Sequence, residues 1–234
     1  MISIEHLSKS KGRTRVLHDV SFTARPGRVT GFLGPNGAGK TTTLRILLGL
    51  DRTPTGHARI HGHRYADLPR PLTRVGALLD GSGAHPARTC RGHLHWLALS
   101  NGLPRARVDE VLELTGLAPA ARTRTRRLSL GQGRRLGLAA ALLGDPGTLI
   151  LDEPVNGLDP AGIVWMRELL RARAARGDTV LLSSHLMTEL SATVDDVVVI
   201  DHGRIAAQGT LGEVTAGHAS LEAAFLTLTG GRAA

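Results

Sequence analysis

The stretch from Val29 to Thr42 reads VTGFLGPNGAGKTT, a compact apolar run followed by a glycine-rich turn. From Gly34 to Thr41 it matches the pattern GxxxxGK[ST] in full, between a predicted strand and a predicted helix. Glycines let the backbone curl closely, so that several N–H groups point inward at phosphate oxygens. The helix that follows directs the positive end of its dipole at the same anion. This stretch therefore predicts a phosphate-binding loop.

The residues of the loop predict how a nucleotide is held. Lys40 supplies a positive charge for the β- and γ-phosphates, and Thr41 offers a hydroxyl to Mg²⁺. A glycine-rich turn that matches by chance is the alternative, and the strand–loop–helix context argues against it. The predicted nucleotide-binding residues of the loop are Gly34, Pro35, Asn36, Gly37, Ala38, Gly39, Lys40, Thr41 and Thr42.

Two carboxylates end a second apolar run, Thr148-Leu-Ile-Leu-Asp152-Glu153-Pro154. The end of a strand beside a phosphate loop is where Mg²⁺ is held, so Asp152 is a predicted metal ligand, directly or through water. Glu153 points to the opposite side of the strand, where it is the predicted general base for water that attacks the γ-phosphate. The alternative is a surface turn with two solvated acids.

His185 follows a third apolar run, Thr179–Ser184. Ser183, Ser184 and His185 superficially resemble a hydrolase triad, but neighbours on one strand cannot adopt the geometry of nucleophile and base. A histidine at a strand end near phosphates can hydrogen-bond the γ-phosphate, and this is its predicted role. A structural histidine is the alternative.

The pattern of the whole chain predicts an α/β fold in a single domain, 1–234. The chain has 234 residues, 41% of them hydrophobic, which is enough to bury a core. The alternation of apolar runs with helical stretches is typical of a parallel sheet covered by helices. Residues 1–28 look β-rich, and 82–141 look like a mostly helical insertion in a core of about 1–81 and 142–225. The predicted strands lie at 29–33, 75–79, 149–151, 179–183 and 197–200, and the main helices after Lys40, at 92–100, 105–115, after LSLGQ, at 161–176 and near 186–192.

The composition indicates the cellular location that is expected for the protein. The apolar runs are far shorter than the roughly 20 residues that cross a bilayer, and the first residues lack the apolar core of a signal peptide. A single cysteine, Cys90, suits a reducing compartment, so a cytoplasmic location is expected. The formal charge is +9. Such a surface can meet nucleic acid, an acidic partner or anionic lipid, or can simply be solvated.

Further strings resemble the motifs of the ABC ATPases. Leu128-Ser-Leu-Gly-Gln132 resembles the LSGGQ signature, and Gly157-Leu-Asp-Pro160 resembles the D-loop. His185 stands at the switch-histidine position, and Val75–Asp80 falls at the Q-loop. The order and spacing hold from about residue 2 to residue 210. The chain is therefore identified as a member of this family, with a parallel-sheet core, an N-terminal antiparallel β region and an inserted helical subdomain.

The resemblance implies a mechanism. ABC ATPases work as head-to-tail dimers with two ATP molecules in the interface. Each ATP would lie between the phosphate loop of one subunit and Ser129, Gly131 and Gln132 of the other, with Asp159 coupling the two sites. Glu153 would activate water and His185 would position the γ-phosphate. ATP and Mg²⁺ are the implied ligands.

Three departures from the family pattern stand out. Asp80 occupies the Q-loop position where glutamine is usual, and it is a predicted ligand of Mg²⁺ or of water. Leu130 replaces the second residue of the usual Ser-Gly-Gly. The aromatic residue that stacks on adenine is absent near Lys11, so adenine is expected to lie on Val16 or on the stem of an arginine or lysine, with weak base selectivity.

The length, the Q-loop and the ending LEAAFLTLTG resemble the ATPase subunits of bacterial drug and antibiotic exporters. This implies an ATPase homodimer on the inner face of the cell membrane, with a separate polytopic permease. The alternative is a soluble ABC ATPase that acts on ribosomes, nucleic acid or cofactor assembly. The basic clusters at 122–127 and 167–176 give that alternative some support, whereas an aromatic content of 3% argues against base stacking, and no direct contact with nucleic acid is expected.

Overall fold

The computed structural model describes residues 1–79, 83–185 and 187–230. The chain forms two compact units: unit 1 contains Met1–Leu68 and the chain from Arg167 onward, and unit 2 is Pro69–Met166. The strands are β1 (Ile2–Lys11), β2 (Thr14–Ala24), β3 (Arg28–Leu33), β4 (Thr55–Ile60), β5 (Val75–Leu78), β6 (Thr148–Asp152), β7 (Thr179–Ser184), β8 (Asp196–Asp201) and β9 (Arg204–Thr210). The helices are α1 (Lys40–Leu47), α2 (Cys90–Ser100), α3 (Ala106–Leu114), α4 (Leu130–Leu142), α5 (Pro160–Ala175), α6 (Met187–Ser191), α7 (Leu211–Thr215) and α8 (Leu221–Leu228).

Unit 1 contains two groups of strands. β1 lies between β2 and β4 in an antiparallel sheet, and its Ile2, Ile4 and Leu7 are buried. β3 lies between β7 and β8 and is parallel to both, while β9 pairs with β8 in antiparallel order. The apolar run of β3 is buried throughout, as expected for a strand covered on both faces. Phe22 of β2 and Phe32 of β3 lie with their ring centroids 4.9 Å apart in the core.

Unit 2 combines two strands with helices. β5 and β6 are parallel, with Val75 paired to Thr148. Helix α4 packs directly on β5, because a Cβ at Gly76 would lie 2.1 Å from the carbonyl oxygen of Ala141. Helix α3 buries one stripe, Val108, Val111 and Leu112, at the spacing of an amphipathic helix.

The structure confirms the α/β prediction, with parallel strands and an antiparallel N-terminal sheet. Each predicted strand and each predicted helix is present, with the stated ends correct within two residues. The helix predicted after LSLGQ begins earlier, at Leu130 inside that string, because Ser129 caps it. The sequence analysis did not predict β4, β9, α7 or α8. Unit 2 extends on both sides of the predicted insertion, 82–141, whose boundaries stay a prediction. Within the described ranges, no helix has the length and apolar character needed to cross a membrane.

Candidate nucleotide-binding and hydrolysis site

The phosphate loop of unit 1 runs from the end of β3 to the start of α1, and its shape depends on two glycines. A Cβ at Gly34 would lie 2.4 Å from the carbonyl oxygen of Ile200, which is backbone and cannot move aside cheaply. Gly39 has a φ of +111° as the N-cap of α1, and a Cβ there would lie 2.6 Å from Leu17 Cδ2. No other residue type fits either position without displacing the core.

Lys40 is held inside this loop. Its side chain is buried, and Nζ donates hydrogen bonds to the carbonyl oxygens of Gly34 at 2.5 Å and Pro35 at 3.3 Å. The loop is braced from outside by Gly203, whose N–H donates to the carbonyl of Ala38 at 3.0 Å. The ammonium group is therefore fixed over the loop at the start of a helix, where negative charge is favoured.

The remaining loop residues differ in exposure. Asn36 and Gly37 are exposed and Pro35 is half-buried, whereas Ala38 is buried. In the first turn of α1, Thr42 is buried and Thr41 is half-buried. The hydroxyl of Thr43 donates to the carbonyl of Gly39 at 2.9 Å and fixes that turn.

Unit 1 also brings His185 beside the phosphate loop. β3 and β7 are parallel and in register, with Leu33 paired to Ser184. Gly34 and His185 are the next residues of these two strands, so both leave the sheet at the same edge. His185 is half-buried there. This register therefore places His185 and the start of the phosphate loop at one edge of the sheet, while the contact of His185 with the γ-phosphate stays a prediction.

The predicted metal ligand Asp152 and the predicted general base Glu153 lie in unit 2. Asp152 is the last residue of β6 and only 4% exposed. Glu153 follows with a φ of +49° and is half-buried. A left-handed backbone at a residue other than glycine carries strain, and such strain concentrates at functional sites. The strained turn after β6 therefore marks Asp152 and Glu153 as candidate functional residues.

The signature-like segment forms the start of α4. The Ser129 hydroxyl accepts a hydrogen bond from the N–H of Gln132 at 3.2 Å, and Gln132 Oε1 accepts one from the N–H of Ser129 at 3.0 Å. This is a complete capping box, which explains why a helix begins here. Ser129 and Gln132 are nonetheless exposed.

The signature-like and D-loop-like segments contact each other within unit 2. A Cβ at Gly131 would lie 2.8 Å from the carbonyl oxygen of Gly157. A Cβ at Gly157 would in turn lie 2.7 Å from Leu130 Cδ2, although Leu130 is 73% exposed. Asp159 Oδ1 accepts a hydrogen bond from the N–H of Gly162 at 3.0 Å and so caps the start of α5. Asp80, the predicted Q-loop ligand, lies outside the described residues.

Sequence reasoning missed Arg135 as a residue that positions this region. Its Nη1 donates to the carbonyl oxygen of Thr115 at 3.1 Å, and its guanidinium lies 4.7 Å from the ring centroid of Trp165. Arg135 therefore links α4 to the end of α3 and to α5. Its spacing of four residues from Gly131 places both on one face of α4, and this was the signal available in the sequence.

Val16, on which adenine is expected to lie, is close to the phosphate loop. Its carbonyl oxygen lies 3.2 Å from where a Cβ of Gly39 would stand, so β2 borders the phosphate loop. Val16 is half-buried and Lys11, near the tip of the β1–β2 hairpin, is exposed. The hairpin thus carries one aliphatic side chain, Val16, and one basic side chain, Lys11, for contact with adenine.

These features define a phosphate-loop nucleotide-binding protein. The family described as ABC transporter matches residues 17–156, and the chain belongs to this family. It is 41% identical over 217 residues to the Nod factor export ATP-binding protein I of Paraburkholderia xenovorans (strain LB400), covering 89% of this chain and 70% of the relative. It is 38% identical over 208 residues to the bacitracin transport ATP-binding protein BcrA of Bacillus licheniformis, covering 88% and 68%.

Solved structures agree with the family. A structure described as the ATP binding subunit of an ABC transporter superimposes with a TM-score of 0.89 at 28% identity, covering 97% of this chain and 99% of that one. The structure of cbiO1 from Clostridium perfringens, part of the cbiONQ complex, gives 0.78 at 28% identity, covering 92% and 90%. The protein is the ATP-binding and ATP-hydrolysing subunit of an ABC transporter. The relatives do not favour the alternative of a ribosome- or nucleic-acid-directed ATPase.

Proposed function

We propose that this subunit binds ATP with Mg²⁺ at Gly34–Thr42 and hydrolyses it to power export of a small, antibiotic-like molecule through a separate membrane permease. The observation that carries the proposal is the preformed phosphate loop with Lys40 buried inside it. A loop already in shape does not have to be ordered when the nucleotide binds, which favours tight binding.

The donor set suits Mg²⁺. Thr41 offers a hydroxyl and Asp152 a carboxylate, and hard oxygen donors are the ligands that Mg²⁺ prefers. When bound, the ion neutralises charge on the β- and γ-phosphates. Asp80 is proposed as a further ligand, directly or through water.

In the proposed hydrolysis, Glu153 accepts a proton from the attacking water. A base must reach the water while the neighbouring carboxylate holds the metal, and the strained, left-handed backbone at Glu153 supports a functional role for this residue. His185 donates a hydrogen bond to the γ-phosphate from the strand end beside Gly34, and so holds the phosphoryl group in line for attack.

The proposed active form is a homodimer with ATP between subunits. Ser129, Gly131 and Gln132 start α4 on the surface, and a helix N-terminus attracts the γ-phosphate of the partner's ATP. Asp159 couples the two sites, because the D-loop-like turn packs on Gly131 and Leu130. ATP favours the closed dimer through contacts that exist only in that state.

Export is proposed from the relatives, whose names specify bacitracin transport and Nod factor export. The permease would place this subunit on the inner face of the cell membrane. No direct contact with nucleic acid is proposed.

The test is the variant Glu153→Gln with Glu5→Gln, an exposed acid of β1, as a matched control. We expect Glu153→Gln to lower ATP turnover at least 100-fold while it keeps nucleotide binding. With Mg-ATP it should also elute as a dimer in size-exclusion chromatography with light scattering. Glu5→Gln should behave as the wild type. Normal turnover by Glu153→Gln, or ATP-bound monomers only, would contradict the proposal.

The membrane partner is tested with the same trapped variant. Host membranes solubilised in mild detergent should yield a stoichiometric polytopic membrane protein with Glu153→Gln and ATP. Recovery of ribosomes, nucleic acid or a soluble assembly complex, without a membrane protein, would contradict the transport part of the proposal and support the alternative.

A further inference from the structure

A cavity of about 640 Å³ lies in unit 1 between the last turn of α1, the strand β4 and the turn Tyr65–Asp67. Cavities of about 300–1,000 Å³ are typical of sites for small molecules. Ile46 and Leu47 of α1 and Ala58 of β4 form an apolar wall. None of the lining residues belongs to the phosphate loop, and the proposed ATP hydrolysis uses none of them. The cavity therefore has no role in the function described so far.

The rim of this cavity carries an excess of positive charge. The charged residues that line it are Arg52, Arg59, Arg64 and Asp51. Asp51 accepts two hydrogen bonds from Arg45, at 3.0 and 3.1 Å, and Arg64 donates two to Asp67, at 2.7 and 3.0 Å. In the described ranges, no carboxylate forms an ion pair with either of the other two arginines. The rim thus keeps two positive charges that an anionic ligand can neutralise.

The backbone that carries these two arginines, Arg52 and Arg59, is held in place by polar contacts; we call them the arginine pair. The ammonium group of Lys9 donates a hydrogen bond to the carbonyl oxygen of Arg52, and the Thr53 hydroxyl donates to a carbonyl oxygen of β1 at 2.9 Å. Arg59 Nη1 donates to the carbonyl oxygen of Gly62 at 3.0 Å. Both guanidinium groups keep further N–H donors, and such groups form bidentate hydrogen bonds with phosphate.

Tyr65 adds a phenol ring to the cavity and is half-buried. The ring offers a flat surface on which a second planar ring can stack. Burial raises the pKa of Tyr65 above its ordinary value of 10.0, so the hydroxyl keeps its proton and can donate a hydrogen bond to an oxyanion. Tyr65 can therefore contact both the apolar and the charged part of one ligand.

We propose that this cavity binds a small aromatic phosphate monoester, with its phosphate on the arginine pair and its ring between Tyr65 and the apolar wall. The direction of binding follows from α1, because Ile46 and Leu47 lie in its last turn, the end of a helix that repels anions. The ring is therefore expected at the helix and the phosphate at the rim. Two positive charges match a phosphate dianion better than a carboxylate.

The headgroup of phosphatidic acid offers the same phosphate chemistry at a membrane surface. Insertion into a bilayer uses apolar side chains that protrude from the protein. Ile46 and Leu47 are only 7% and 1% exposed, so the apolar wall lies inside the cavity. This arrangement favours a free molecule whose ring enters the cavity.

The ligand class is tested by isothermal titration calorimetry of the full chain in saturating Mg-ADP, which occupies the phosphate loop. The probes are naphthyl phosphate, naphthol and inorganic phosphate. We expect one naphthyl phosphate per chain, bound at least tenfold more tightly than either of the other two. Equally tight binding of naphthol would show that charge makes no contribution, and equally tight binding of inorganic phosphate would show the same for the ring. Either result, or no binding of naphthyl phosphate, would overturn the proposal.

The contribution of charge is located by two double variants of equal charge change. The cavity variant is Arg52→Gln with Arg59→Gln, and the control is Arg105→Gln with Arg204→Gln, two exposed arginines elsewhere. The cavity variant should lose affinity for naphthyl phosphate at least tenfold, while the control stays within twofold of wild type. Equal loss in both double variants would mean general electrostatic attraction and would overturn the proposal.

The position of the ring is tested by filling the cavity without a change of charge. Ala58→Leu should lower the affinity at least tenfold and Tyr65→Leu about threefold, whereas Ala206→Leu, at an exposed position of β9, should have no effect. Normal affinity of a folded Ala58→Leu variant would overturn the proposal. Circular dichroism checks folding, and if Ala58→Leu does not fold, the Arg52→Gln and Arg59→Gln variant decides.

The source of the phosphate has a separate arm. We expect phosphatidic acid vesicles to bind the wild type and the cavity variant equally. If these vesicles depend on the arginine pair and naphthyl phosphate does not, the occupant is a lipid headgroup and the proposal is overturned. If the protein does not bind Mg-ADP, the proposed function fails, while the same titrations without ADP still test the cavity through its variants.

Discussion

The phosphate loop of unit 1 and the signature-like segment of unit 2 both form a helix N-terminus, but they are built in opposite ways. Helix α1 is capped by Gly39 in a left-handed conformation, with no side-chain hydrogen bond at the cap. Helix α4 is capped by Ser129 and Gln132, which satisfy each other's backbone groups. The first is shaped by close backbone packing, and the second by two exposed side chains. Added bulk is therefore expected to damage the phosphate loop most. Removal of polar side-chain atoms is expected to damage the signature-like segment most.

The largest expected effect is steric and falls on Gly34→Ala. Its Cβ would meet the backbone carbonyl of Ile200 at 2.4 Å, so the loop must shift. We expect a loss of about 3 kcal/mol in the free energy of unfolding, as for overpacked sites. Gly37→Ala is the control: its Cβ meets nothing within 4 Å, and only its φ of +81° is unfavourable, so about 1 kcal/mol is expected. Urea denaturation measures both, and similar losses would show that packing does not shape the loop.

The next effect is chemical and falls on Ser129→Ala. Loss of the cap should cost about 1 kcal/mol of stability. Thr210→Ala is a matched control, because Thr210 forms the same kind of capping box with Glu213 at the start of α7. If Ser129 also contacts ATP across a dimer, only Ser129→Ala should lower ATP turnover at least tenfold at equal stability. Equal turnover in the two variants would restrict Ser129 to capping.

The third prediction concerns the pH dependence of the free energy of unfolding. It arises from a difference between a buried polar group of unit 1 and one of unit 2. Asp196 of unit 1 is buried but accepts hydrogen bonds from both Arg25 and Arg28. His93 of unit 2 is 4% exposed, and its Nδ1 has no hydrogen-bond partner among the described residues. Burial, aided by the charge of Arg88, lowers the pKa of His93 below its ordinary value of 6.5.

The sign of the effect follows from proton binding. Below pH 6.5 the unfolded chain takes up a proton at this histidine before the folded chain does, so stability falls as pH is lowered. The stability contributed by the neutral, buried imidazole of His93 is therefore fully present above pH 6.5. It is lost as the pH falls toward the lower pKa that His93 has in the folded protein. Between pH 6.5 and 5.5 we expect His93→Leu and His93→Gln to lose about 1 kcal/mol less than the wild type in urea denaturation. A pH dependence unchanged by both substitutions would contradict a role for His93.

The sequence predicted best those parts whose signal is local. The apolar runs became buried strands, and the spacing of Val108, Val111 and Leu112 became one face of α3. His185 and Gly34 follow two apolar runs that the sequence analysis predicted as strands, and they lie at one edge of the sheet because those strands are parallel and in register.

What the sequence did not predict depends on contacts between distant residues. Strand β4 alternates exposed and half-buried positions, with Ile60 its one buried residue, and is recognised only through its pairing with β1. The ladder between residues 85–91 and 121–126 has no periodic signal, so the sequence showed the basic cluster at 122–127 but not that Arg88 and Arg91 lie beside it. The approach of Leu130 to Gly157 likewise arises from folding.

The smallest expected effect concerns the base of the nucleotide. The hairpin near the phosphate loop offers Val16 and Lys11 in place of an aromatic ring, and aliphatic stems contact any purine in a similar way. We expect the wild-type protein to bind ATP and GTP with dissociation constants within threefold of each other. Lys11→Tyr should tighten ATP binding about fivefold, since stacking on an aromatic ring contributes about 1 kcal/mol or more. Arg13→Tyr, in the same hairpin, should change ATP affinity less than twofold. A strong preference of the wild type for ATP over GTP would contradict this prediction, because it would show that residues outside the hairpin recognise the base.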